Sequence, residues 1–197
     1  MFCFQCGYDL PNQARFCPRC GMSQQGMEQQ PYAGAAQQSI GYSFEQYRAL
    51  IESRLGPGQY VQELCAWMYY SEEFKVKWAA TKMKKYVYLA NFERLDGSAL
   101  KAYSAACMKN SLNIYQGLPR GFQNGVGSFA IAASNHITPD AIAYVQRPAP
   151  AHFAAFEFSI TADLVNRQIC YMQKTPMWGA MMWGDIRKFG SWCANFQ

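Results

Sequence analysis

Charge is scarce in this chain of 197 residues. Asp, Glu, Lys and Arg make up 16% of it, while half of its residues are hydrophobic and 16% are aromatic. So little charge with so many aromatics excludes an intrinsically disordered polymer, and glycine and proline recur too often for a coiled-coil rod. Long apolar runs are missing too. The most apolar stretches, 126–133 and 176–184, are too short to cross a bilayer, so no transmembrane segment is expected. The first ten residues lack the basic and apolar regions of a secretory leader. Only two histidines occur, His136 and His152, and neither stands in a nucleophile elbow or a papain-type motif. Gly121–Gly127 lacks the Lys-Ser or Lys-Thr of a phosphate loop. The carboxylates Glu157, Asp163 and Asp185 are unpaired in sequence. No small-molecule ligand is predicted.

Cysteine, by contrast, is concentrated. Four of the eight fall within the first 20 residues, as Cys3-x-x-Cys6-Gly7 and Cys17-x-x-Cys20-Gly21. Two such knuckles bring four thiolates to one tetrahedral ion, the donor set of structural zinc, with rubredoxin-like iron the rival. The other cysteines, Cys65, Cys107, Cys170 and Cys193, are far apart, which favours a reducing, cytoplasmic setting over a disulfide scaffold.

FCFQCGYDLPNQARFCPRCG resembles the short zinc-ribbon module at the N-termini of many bacterial and archaeal proteins, close to CxxCGxxLxxxAxFCxxCG. Leu10, Ala14 and Phe16 match it as well as the cysteines. The resemblance implies one structural Zn²⁺ held by Cys3, Cys6, Cys17 and Cys20, and covers about a tenth of the chain. Such modules are joined to unrelated partners, so it implies no activity. A site closed by four thiolates leaves no position for a reactive water. With Arg15 and Arg19 against Asp9, and a formal charge of −2 on the metal centre, the ribbon is near −1 and a poor platform for phosphates.

The expected organisation is a zinc ribbon over 1–21, a flexible linker rich in glutamine and glycine over 22–41, and an α+β domain over 42–197. The net charge of +5 belongs to the last part: residues 1–40 carry two basic and two acidic side chains, leaving 16 basic and 11 acidic beyond.

Within that domain the spacing predicts helices over 43–55, 59–70, 72–94 and from Ser98 to Ile114. The 72–94 helix would use Val76, Ala80, Met83, Val87 and Ala90 as its core stripe. A strand is expected at 126–134, a short helix from Thr138-Pro139-Asp140 to Gln146, and a hairpin made of 153–161 and 168–173. A last helix is expected at 179–190. The resulting fold is a helical bundle packed with a small, largely antiparallel sheet.

Three functions follow as expectations. The first is a zinc-containing, non-enzymatic adaptor acting through protein–protein contacts with a partner or its own copy. Its candidate interface is the Met/Trp-rich run of Trp178, Met181, Met182 and Trp183. The second is nucleic-acid association through Lys75, Trp78, Lys82 and Lys85 on the predicted 72–94 helix. The third is an enzyme with a pocket in the C-terminal domain, whose candidate pair is His152 and Cys170.

Overall fold

A computed structural model describes residues 41–197 except 79, 118, 119 and 122. The expected ribbon and its ligands Cys3, Cys6, Cys17 and Cys20 lie outside the described residues, as does the linker up to residue 40.

The described residues form four α-helices and one seven-stranded mixed sheet. In chain order these are α1 (Phe44–Leu55), β1 (Gln59–Val61), β2 (Ala66–Lys75), β3 (Thr81–Phe92) and α2 (Gly97–Ile114). They continue as β4 (Asn124–Ser134), α3 (Pro139–Val145), β5 (Ala151–His152), β6 (Ala155–Asp163), β7 (Gln168–Tyr171) and α4 (Ala180–Ala194). The sheet runs β1-β2-β3-β4-β6, with β5 and β7 both pairing the far side of β6. β3, β4 and β6 are mutually parallel, joined by α2 and α3; β1, β2, β5 and β7 pair antiparallel with their neighbours.

This corrects the expected helical bundle with a small, largely antiparallel sheet. The segments 59–70 and 72–94 are strands with short 3₁₀ turns at Gln62–Leu64 and Val76–Trp78. The reason lies in β3, which is buried on both sides. Met83, Val87 and Leu89 point into one core, while Tyr86, Tyr88 and Ala90 point into the other. A spacing of four residues satisfies both a helical turn and two strand repeats, so Met83 and Val87 fit either period. The aromatic and β-branched run Tyr86-Val87-Tyr88 decides for the strand.

The remaining elements match their sequence signals. Ser43 and Gln46 form a reciprocal capping box at α1. Asp96, not Ser98, caps α2, accepting from the Ala99 amide at 2.8 Å. Thr138 precedes α3 as expected, but its hydroxyl donates to the Leu95 carbonyl.

Two helical layers enclose the sheet. α1 and α4 cover one face over a core of Tyr47, Ile51, Phe129, Phe158, Trp183 and Ile186. α2 and α3 both cover the other, over Leu100, Tyr103, Cys107, Ala130 and Val145. α2 packs chiefly on β4 and β6, so the same face of β2 is left bare from Tyr70 onward.

The starts of the parallel strands share a device. Ala80, Gln123 and Ala154 precede β3, β4 and β6, and each has a positive φ of 48–57°. This left-handed turn is costly for a residue with a Cβ. At two of the three it places the carbonyl against the neighbouring strand: Gln123 accepts from Lys82 at 2.8 Å and Ala154 from Val126 at 3.1 Å. Each turn therefore adds a rung before its own strand begins.

Candidate functional site around Glu157

β6 alternates strictly. Phe156, Phe158 and Ile160 enter the α1/α4 core, so Glu157, Ser159 and Thr161 face α2 and α3. Strand geometry thus places a carboxylate in a buried layer, where it is 4% exposed. Such a group must be satisfied by donors. Ser104, fully buried on α2, lies 2.7 Å from Glu157 Oε1 and 2.7 Å from the Ser159 hydroxyl. Ser104 has one proton, so donating it to the carboxylate requires Ser159 to donate to Ser104. On the other side, His152 Nε2 is 2.7 Å from Glu157 Oε2. β5 sets this contact by pairing His152 with Ala155 at the start of β6.

The surrounding layer has polar capacity to spare. Ser128 is the register partner of Glu157 on β4, and its hydroxyl is buried without a hydrogen bond. The buried Tyr103 hydroxyl also lacks one. Glu157 lines two openings: a cavity of 170 Å³ bounded by Lys101, Tyr144, Arg147 and Ser159, and a cleft of 230 Å³ bounded by Lys109, Asn113 and His152.

Ser104 bonds to the carboxylate and not to the imidazole, so the cluster holds no Ser–His pair. Cys170, the expected partner of His152, sits opposite Thr161, six residues along β6 from Ala155. At a strand rise of about 3.3 Å per residue, ~20 Å separates these two register positions. The register rules out the His152–Cys170 dyad.

The other candidate residues are distributed as follows. Trp183 is fully buried, its indole N–H donating to the Trp178 carbonyl at 3.0 Å, and Trp178 stacks on Phe156. Met182 is partly buried; Met181, 73% exposed, is the outward member of the four. The Met/Trp run is thus chiefly core.

Lys75, Trp78, Lys82 and Lys85 do not share a platform, because the helix proposed to carry them is two strands. Lys82 lies on the bare face and pairs with Glu72 at 2.8 Å. The others gather on the opposite face, under α4. Glu73 accepts from Lys75 at 2.7 Å and Lys85 at 2.5 Å, while Asp185 accepts from Lys77 at 2.7 Å and the Trp78 indole at 2.8 Å. Burial acts to raise both carboxyls, but these hydrogen bonds outweigh it and hold Glu73 and Asp185 below the usual carboxylate range.

Among the described residues no group of three or more His, Cys, Asp or Glu could hold a metal ion, and no helix is long and apolar enough to cross a membrane. Burial pushes the Cys107 and Cys193 thiols up to about 12, whereas Cys65 is exposed.

Two features were missed in the sequence. Ser104 has no signal in the sequence beyond its place in the expected Ser98–Ile114 helix, and Glu157 is left a carboxylate unpaired in sequence. Tyr70 and Phe74, 46% and 57% exposed, seemed to belong to helices but stand on the bare flank of β2. Only the alternation of 66–75 could have exposed them. No protein-family model matches the chain, and comparison with curated proteins and with solved structures finds no match.

Proposed function

We propose that the chain is a zinc-containing, non-enzymatic adaptor of a reducing, cytoplasmic setting, which binds an extended segment of a partner protein along β2. The observation that carries this reading is the open flank of that strand. β1 pairs only with Ala66–Met68, so residues 69–75 have β3 on one side and no strand on the other among the described residues. Tyr70 and Phe74, 46% and 57% exposed, stand on one face of this open stretch. An open edge beside exposed aromatic side chains suits strand addition: main-chain hydrogen bonds supply affinity and side-chain contacts supply selectivity.

A second copy is a poor occupant. Antiparallel self-pairing over 69–75 sets Glu72 against its own counterpart, and like charges directly opposite are unfavourable. A partner strand of different sequence avoids this.

In this reading Cys3, Cys6, Cys17 and Cys20 hold one structural Zn²⁺, for which four soft thiolates are a fitting donor set. The ribbon offers a second contact, and tethering raises its effective concentration near a partner already held by the body. The test is quantitative capture by full-length protein, compared with a Tyr70→Asp/Phe74→Asp variant and a Cys17→Ser/Cys20→Ser variant. The first should lose the partner while keeping its unfolding midpoint, and the second should lose its metal and part of its affinity. Undiminished capture by the β2 variant would refute the reading.

A further inference from the structure

The cavity on the α3 side of Glu157 has a charge arrangement that the adaptor reading leaves unused. Its floor is a carboxylate with 4% exposure, and its rim carries Lys101 from α2 and Arg147 from the end of α3. Neither cation forms an ion pair among the described residues, although other lysines of the domain are paired with acids. Tyr144 lines the same cavity. Burial, and then the Glu157 carboxylate, raise its hydroxyl, while Arg147 acts against them.

The carboxylate is not saturated. An ionised carboxylate offers about four acceptor positions, and Ser104 and His152 occupy two. Its partners inside the protein are one hydroxyl and one imidazole, and no lysine or arginine pairs with it among the described residues. A buried carboxylate of this kind gains most from a ligand that brings a positive charge with N–H donors. Lys101 and Arg147 call for the opposite at the mouth. At 170 Å³ the space equals about six water molecules' share of liquid, well below the size of drug-like ligand sites.

We propose that this cavity binds a small zwitterion of amino-acid size, its ammonium against Glu157 and its carboxylate between Lys101 and Arg147. Separation of the charges sets the selectivity. An amine alone leaves the two rim cations unmatched, and a carboxylic acid alone meets Glu157 with like charge. Ser159 and Tyr144 add hydroxyls for the ligand's remaining polar atoms.

The test is calorimetric titration of the full chain with each common L-amino acid up to millimolar concentration. Matching amines that lack the carboxylate, and acids that lack the amine, serve as controls. At least one amino acid should bind saturably and more tightly than either control. Glu157→Gln should weaken it by about ten- to a hundredfold, the worth of a charged hydrogen bond. Lys109→Ala, on the cleft at the other side of Glu157, should leave it unchanged. If Glu157→Gln does not fold, the rim variant Lys101→Met/Arg147→Met decides the matter, because both side chains are exposed and should weaken binding without unfolding the domain. No saturable binding by any amino acid, or binding that survives the rim variant, would overturn the proposal. Neither result bears on capture at β2, which uses different residues.

Discussion

Lys85 reaches Glu73 across the β2–β3 pair at 2.5 Å, with only 5% of its side chain exposed. Its ammonium also lies 3.8 Å from the centre of the Phe189 ring on α4. A lysine this buried is a structural cation, unlike Lys82 on the bare face, whose side chain is 45% exposed. Lys85→Met should therefore cost about 2 kcal/mol in urea denaturation, mostly from the charged hydrogen bond. Lys82→Met should leave stability unchanged within error. Equal effects would mean that the β2–β3 lysines are interchangeable.

Glu73 and Asp185 give the domain an acid limb. Both carboxyls are depressed in the folded state, so their stabilisation is fully present above the unfolded-state values. It is lost as pH falls below about 4 and through the depressed folded values. Asp185→Asn removes one of these groups while keeping an acceptor for Trp78. Its stability should fall less steeply with acidification than that of the wild type, read from urea midpoints across this range. An identical slope would remove Asp185 from the account.

Trp183 and Met181 separate core from surface on α4. Trp183→Ala should cost about 3–5 kcal/mol, the range for truncating a buried aromatic. Met181→Ala should leave the unfolding midpoint in place. Comparable losses would show that α4 packs differently.

Alkylation by iodoacetamide should sort the thiols. At neutral pH Cys65 should react first, because it is exposed. Cys107 and Cys193, pushed up to about 12 by burial, should react only in denaturant. With zinc bound, Cys3, Cys6, Cys17 and Cys20 should stay protected until a chelator is added. Ready alkylation of all four in native, reduced protein would remove the metal from the proposed function.

The second half of the domain was legible because its signals are local. Thr138-Pro139-Asp140 marks a helix start, and the alternation around Phe156 and Phe158 marks a strand with one apolar side. In the first half α1 and α2 were legible but the strands between them were not, because β3 is apolar on both faces and its four-residue spacings fit two periods. That ambiguity hid the central strand and turned a mixed sheet into a bundle. The Glu157 cluster was illegible for another reason. Ser104, His152 and Glu157 come from three elements, and only the pairing of β5 with β6 and the position of α2 bring them together. The same register that created this cluster separated His152 from Cys170.

β3 is also the seam between two very different distances along the chain. The Lys75–Thr81 rung closes over six residues, whereas the Lys82–Asn124 rung closes over forty-two. By chain entropy alone the longer closure costs about 1.7 kcal/mol more. Chain entropy therefore favours the antiparallel side forming first, with α2 folding back before the parallel side joins it. Until then the edge of β3 that will receive β4 is unsatisfied. A slow step on the folding path would leave this central strand open to other chains, so conditions that hold α2 open should promote aggregation there.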